Sequence, residues 1–221
     1  MRASILLLLN GVDALTLVRA RCLTTRARTA MLASDGEVLM LGAYPFYTRQ
    51  PTALMDEVFA VNEARVRSCL SDTAVVQRIG SSAIRGMPGI PVVDMLAAQP
   101  EWPPSQAQLA ALAAAGFEAK GMAPHAADDM WFFGGDGPPG VGHCVLHVVQ
   151  TINPFVAESR AFVKYVSSHP ADFDAYKAVK LEGARLALDG AEGQKLSEYK
   201  ASKHDICVGV MGRAKAWAAG R

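Results

Sequence analysis

The stretch from Val75 to Leu96, VVQRIGSSAIRGMPGIPVVDML, constrains this chain more than any other. An apolar run closing at Ile79 meets Gly80-Ser81-Ser82 without a spacer, and a second apolar run, Pro91 to Ala97, carries a single carboxylate, Asp94. The pattern predicts a strand, a glycine-serine loop, a short irregular or helical segment, then a second strand. Gly80 lets the backbone turn sharply, while Ser81 and Ser82 put hydroxyls and exposed N–H groups where a helix can start. Such a start attracts anions, because unpaired N–H groups and the helix dipole both favour negative charge. A lone carboxylate in a buried strand is costly without a partner, commonly a cation or a metal. A phosphate cradle beside a strand-borne carboxylate makes a metal–nucleotide geometry. Each half also has a plainer reading: most Gly-Ser loops only turn the chain, and Asp94 also reads as a satisfied structural carboxylate.

A chain of 221 residues can bury a full core as one domain, and 51% apolar with 19% charged residues is a globular balance. The formal net charge of +1 gives no electrostatic argument for nucleic acid as a partner. Cys22, Cys69, Cys144 and Cys207 lie far apart without a C-x-x-C spacing, so free thiols in a reducing compartment are expected rather than a disulfide framework or metal cluster. No apolar run is long enough to span a membrane.

Residues 1–34 differ from the rest. Arg19, Arg21, Arg26 and Arg28 fall in a region whose sole acidic residue is Asp13. That composition fits a mitochondrial or plastid transit peptide. An untargeted extension, with folding starting near Met31, fits equally, and the location is then cytoplasmic. The domain itself is expected over residues 35–221. Its first strand is read at Glu37–Tyr44, followed by a connector to Pro51. Thr52 reads as the cap of a helix to Leu70. Ser105 caps an alanine-rich helix stopped by Gly116. Strands are expected at 117–121, 130–133 and 144–150, with a turn-rich loop or flap over Gly134–Gly142. From Asn153 the pattern is helical, with breaks at His169-Pro170 and Asp189-Gly190 and a last helix from Glu192 to Trp217. Strands first and helices after suggest an α+β domain with a C-terminal helical layer.

His143 and His147 share a face of their strand but stand about 13 Å apart, too far to hold one metal ion. His147 reads either as a proton donor or phosphate contact, or as a hydrogen-bonded half-buried histidine.

The order Gly-Ser, a gap of about a dozen, then a strand aspartate resembles the signature of the nucleotidyltransferase superfamily. The run from Arg78 to Asp94 more specifically resembles the GrpB family. Further likeness lies in Tyr165-Val-Ser-Ser-His169-Pro170, in Tyr176–Lys180 (YKAVK) and in Glu198–Lys203 (EYKASK). The resemblance runs from about Glu37 to Trp217. It implies a nucleotidyltransferase-like α+β fold, with a small mixed, mostly antiparallel sheet flanked by helices. It also implies a nucleotide or other phosphorylated small molecule as ligand, and a magnesium ion on Asp94. Asp94 and His147 would then be catalytic, in a possible transferase, with Gly80, Ser81 and Ser82 on phosphate. Lys180, Tyr199 and Lys203 carry over as phosphate or nucleotide contacts; as helix residues alone they read as ordinary exposed side chains. Family members fused to dephospho-coenzyme A kinase make a role near coenzyme A metabolism thinkable. The departures matter. Arg78 replaces a histidine, Arg85 a proline and Ile90 a lysine; Arg78 and Arg85 would restore positive charge near the loop. Active nucleotidyltransferases have a second acidic residue two positions past the strand aspartate, where this chain, like GrpB members generally, has none: it carries Leu96. That favours an alternative to the transferase, a catalytically degenerate ligand sensor or regulatory module on the same scaffold.

Overall fold

The computed structural model describes residues 36–42, 44–122, 129–136, 143–191 and 193–221. The N-terminal extension with its transit-peptide expectation, Cys22, and residues 137–142 of the turn-rich loop lie outside them.

Two short strands, β1 (Val38–Leu41) and β2 (Tyr44–Tyr47), pair antiparallel. The sequence suggested one strand and then a connector here; the chain instead turns back after Gly42, which takes φ +64°. Pro45 sits inside β2, where a missing N–H is tolerated because the sheet is only two strands wide. Phe46 and Tyr47 are fully buried. Tyr47 exchanges two backbone hydrogen bonds with Gly89, of 3.0 and 2.9 Å, which tie this hairpin to the segment leading into the main sheet.

Helix α1 (Thr52–Arg67) is not capped by Thr52: Pro51 holds the cap position without a side-chain bond. It also stops short of Leu70, because Cys69 and Leu70 both turn their N–H groups onto the Val66 carbonyl, and Arg67 reaches over to the Ala74 carbonyl at 3.0 Å. Strand β3 (Val75–Ile79), a single 3-10 turn (Gly80–Ala83) and strand β4 (Val92–Gln99) then supply the expected strand–loop–strand. Ser105 and Gln108 cap each other's backbone at the start of α2 (Gln106–Ala114), and Gly116, at φ +86°, ends it. Strands β5 (Phe117–Met122), β6 (Met130–Asp136) and β7 (His143–Gln150) complete a sheet of order β3-β4-β7-β6-β5. β6 runs past the expected end at Phe133 into glycines. Gly135 suits that place because a Cβ there would meet the Phe117 ring at 2.7 Å. Only β4 and β7 run parallel, so the sheet is mixed and mostly antiparallel.

Alternation sorts the strand side chains onto two faces. Val93, Met95, Ala97, Cys144, Leu146 and Val148 pack on Met55 and Val58 of α1 and Leu112 of α2. Val92, Leu96, Ala98, Val145 and Val149 pack on the other face against Phe155. Burying a side chain such as Phe155 contributes roughly 1.5–3 kcal/mol. Asp94, paired with Ile79 and Val145, belongs by parity to this second face.

That side carries the helical layer: α3 (Pro154–Ser168), α4 (Pro170–Leu188), α5 (Lys195–Ser202) and α6 (His204–Ala219). Asn153 caps α3 by accepting the Phe155 N–H at 2.9 Å. The single last helix expected from Glu192 is two helices jointed at Lys203, whose φ and ψ are −95° and 1°. No proline or glycine marks the joint. Ser202 lies against Gly183 of α4, where any Cβ would overlap it. Contact this close fixes the end of α5 on α4, and the chain bends into α6 from there. Cys69, Cys144 and Cys207 are buried and form no disulfide among the described residues. No helix among the described residues is long and apolar enough to cross a membrane.

Candidate functional site

Gly80 is needed twice over. Its φ is +63°, and a Cβ there would stand 2.9 Å from Oδ2 of Asp94. The backbone of the loop is therefore pressed directly against the carboxylate. Ser82 fastens the two together: its hydroxyl donates to the Ile79 carbonyl at 3.0 Å and accepts the Asp94 N–H at 3.1 Å. The hydroxyl of Ser82 thus orients loop and strand, while Ser81 lies beside the Tyr176 hydroxyl, which also accepts from the Cys207 thiol at 3.4 Å. The segment after Ile79 is only a 3-10 turn, shorter than the helix start a phosphate cradle would use.

Three lysines of the helical layer act on Asp94. Lys180 extends from the buried stripe of α4 that also holds Tyr176, Gly183, Ala184 and Ala187. It is 1% exposed. Its Nζ lies 5.3 Å from the centre of the Tyr176 ring, and a Cβ on Gly89 would approach that nitrogen to 3.2 Å and Nε2 of Gln50 to 2.8 Å. Lys203, at the α5–α6 joint, sets its Nζ 5.1 Å from the centre of the buried Tyr199 ring. Lys200, on α5, is the third. Burial pushes the Asp94 carboxyl up to about 6, against the pull of Lys203, Lys180 and Lys200. Burial first, and Lys203 second, push the Lys180 ammonium well below its ordinary range, while Asp94 resists. Burial raises the Tyr176 and Tyr199 hydroxyls, so both are neutral donors at neutral pH.

The structure brings Gly80, Ser81, Asp94, Lys180, Tyr199 and Lys203 together. It does not bring Arg78 to them: Arg78 is opposite Met95, on the α1 face, and bonds Asp56 of α1 at 2.8 Å. Arg85 is exposed. His147 shares the face of Asp94, one pair further along, opposite Leu96. It lies between Phe132 and Phe155, with ring centres 5.2 and 5.7 Å away, and its Nδ1 is buried without a hydrogen-bond partner. Burial alone drives it down to about 4. Tyr176, Lys200 and Gln50 were not singled out from sequence. The signal for Tyr176 was its place one turn before Lys180; nothing in the sequence marked Gln50.

The donor set suits an anion rather than a magnesium ion. A magnesium ion takes an octahedron of oxygen ligands, one or two of them carboxylates and the rest waters and substrate phosphates. Here Leu96, the next residue on the same strand face, is fully buried in the core. No group of three or more His, Cys, Asp or Glu residues could hold a metal among the described residues. The carboxylate that is present faces three cationic side chains, which would repel a metal ion.

The sequence matches the model of the GrpB protein family over residues 50–213, a span containing every residue of the cluster. The conserved protein GrpB from Enterococcus faecalis has a similar structure, with a TM-score of 0.56 and 20% identity over 74% of this chain and 94% of that one. The α+β fold expected from the sequence, a small mixed, mostly antiparallel sheet flanked by helices with a C-terminal helical layer, is the fold observed, and it is shared with that protein. The Cid1 poly(U) polymerase with MgGTP bound is more distant: TM-score 0.37 and 14% identity, over 58% of this chain and 44% of that one. A likeness of that size does not bear on function. No curated protein matches the sequence.

Proposed function

We propose that this chain, which belongs to the GrpB family, binds a small phosphorylated molecule, a nucleotide or related metabolite, at the lysines gathered beside Asp94. One observation carries the reading. Lys180 is almost wholly buried, close to a second lysine, and its charge is opposed by burial. A buried cationic group without a hydrogen-bonding counter-ion is costly, and an anionic ligand removes that cost. Phosphate, with several acceptor oxygens, suits ammonium groups converging from two helices. The tyrosine hydroxyls and the Ser81 hydroxyl add neutral donors.

Binding without turnover, as in a ligand sensor or regulatory module, is the form of this function that the residues favour. Magnesium-assisted transfer to or from a nucleotide relies on metal ions that bridge phosphate oxygens and neutralise charge, and among the described residues Asp94 is the carboxylate that the three lysines face. His147, expected as a proton carrier, is walled in by two phenylalanines.

Thermal unfolding of the full chain against nucleotides, inorganic phosphate and coenzyme A precursors, with and without magnesium, tests the proposal. Specific ligands must raise the midpoint by mass action, and Lys203→Ala must abolish the rise. If no phosphorylated compound moves the midpoint, the proposal fails. Magnesium-dependent consumption of a nucleoside triphosphate would replace the sensor with a transferase.

A further inference from the structure

Asp94, Lys180 and Lys203 are complementary in charge but do not satisfy one another. Among the described residues, the Asp94 carboxylate accepts no hydrogen bond; the link to Ser82 is made by the Asp94 backbone N–H. Neither lysine reaches it within ion-pair distance, and neither ammonium group makes a hydrogen bond or ion pair among the described residues; their Nζ atoms lie 5.3 and 5.1 Å from the centres of the Tyr176 and Tyr199 rings. The separation is built in. Asp94 stands on the central part of β4 with Gly80 pressed on its Oδ2, and Lys180 is held between the Tyr176 ring and the backbone at Gly89. Partners this fixed cannot collapse onto each other, as flexible surface pairs do.

A bare phosphate would satisfy the lysines but set negative charge beside the Asp94 carboxylate. A bare cation would satisfy Asp94 but meet Lys180, Lys200 and Lys203. A ligand with an acceptor end and a donor end satisfies both. The donor is a hydroxyl rather than an ammonium, because a further charged nitrogen there would again face the lysines.

We propose that the ligand of this site is a phosphomonoester bearing a free hydroxyl, its phosphate meeting Lys180 and Lys203 and its hydroxyl donating to the Asp94 carboxylate, with no metal ion between them. This rests on the phosphate-binding reading above and deepens it. Nucleoside monophosphates and sugar phosphates share the required chemistry. Asp94 on this account selects among phosphorylated molecules, and the lysines supply the affinity common to all of them.

Titration calorimetry of the full chain in EDTA at pH 7.5 decides it, using inorganic phosphate, ribose 5-phosphate, AMP and 2′,3′-dideoxy-AMP. A hydrogen bond to a charged acceptor corresponds to about tenfold or more in affinity. Ribose 5-phosphate or AMP is therefore expected to bind about tenfold or more tightly than inorganic phosphate, and AMP more tightly than its dideoxy analogue if the nucleoside is the source. In Asp94→Ala those preferences vanish, while inorganic phosphate binds as well or better. Equal affinity of the wild-type chain for inorganic phosphate and every hydroxylated probe overturns the inference and leaves phosphate binding standing; because this comparison varies the ligand, it holds even if Asp94→Ala fails to fold. A preference that survives in a folded Asp94→Ala also overturns it. Binding abolished by EDTA and restored by magnesium overturns the metal-free part. No heat with any probe removes both this inference and the phosphate-binding proposal.

Discussion

The two faces of the main sheet are lined by alternate residues of the same strands, and they bury different things. Toward α1 and α2 the strands present Val93, Met95, Ala97, Leu146 and Val148, a continuous apolar layer. The polar side chains on that side are satisfied: Arg78 stays at the rim and bonds an exposed aspartate, and the buried Gln99 bonds Gln108 of α2. Toward the C-terminal helices the strands present Asp94 and His147 among the aliphatics, and the helices bring Lys180 into the same layer. One face follows ordinary packing economy. The other holds charged groups at distances where they cannot cancel. Unfavourable burial of this kind persists where the rest of the fold is stable enough to impose it, and the first face is what imposes it.

Removing packing from the first face should give the largest effect. Leu146→Ala, fully buried there, is expected to lose about 2–5 kcal/mol in chemical denaturation while leaving ligand affinity per folded molecule unchanged. A loss of affinity would mean that the faces are not separable. On the second face the sign should reverse. Lys180→Met keeps the apolar stem and removes the buried cation, so it is expected to stabilise the chain by about 1–4 kcal/mol and to weaken phosphate binding. A destabilised Lys180→Met would show that the lysine is a structural asset.

The pH dependence should separate two groups on the second face itself. Asp94 titrates near 6 when folded against an ordinary value of 3.8. Between those values the folded state holds a proton that the unfolded chain has released, so this group adds stability as pH falls from about 6 toward 4. His147 titrates near 4 when folded against an ordinary 6.5. The unfolded chain takes up that proton first, so this group removes stability as pH falls through the same window. The wild-type curve is therefore expected to be shallow between pH 6.5 and 4. Asp94→Asn should expose the His147 trend, a steady fall in unfolding free energy on acidification; a curve that stays flat in the variant would refute the opposition. The smallest effects belong outside the second face. Arg85→Ala and Arg78→Ala should each change stability by about 0.5 kcal/mol or less, with unaltered phosphate affinity by calorimetry.

The parts of the molecule that were legible in the sequence are those fixed by local rules. Ser105 with Gln108, Asn153 with Pro154, and the run from Val75 to Leu96 each specify their own geometry within a few residues. The strand parity that puts Asp94 among the C-terminal helices was also implicit, since it follows from alternation. Arg78 shows the limit of that rule: it lies next to the loop in sequence, but its neighbour Ile79 is the one opposite Asp94, so Arg78 points to the α1 side. Lys180 and Lys203 carried no local sign of their environment. A lysine one turn from a tyrosine is common on exposed helices; here Lys180 is buried because α4 lays that face against Gly89 and the 3-10 turn's neighbours. The joint at Lys203 was invisible for a related reason. It is imposed by Gly183 on another helix, and no breaker residue lies at the bend.

The pair of hydrogen bonds between Tyr47 and Gly89 has a bearing on where the working unit begins. Gly89 forms the wall behind the Lys180 ammonium, and the strand that pins that wall ends before residue 50, where the family-matched sequence starts. The recognisable stretch therefore contains all of the charged side chains but not the clamp that sets their spacing. A homologue could keep every cluster residue and still hold a different ligand, simply by fastening this short stretch of backbone in another way.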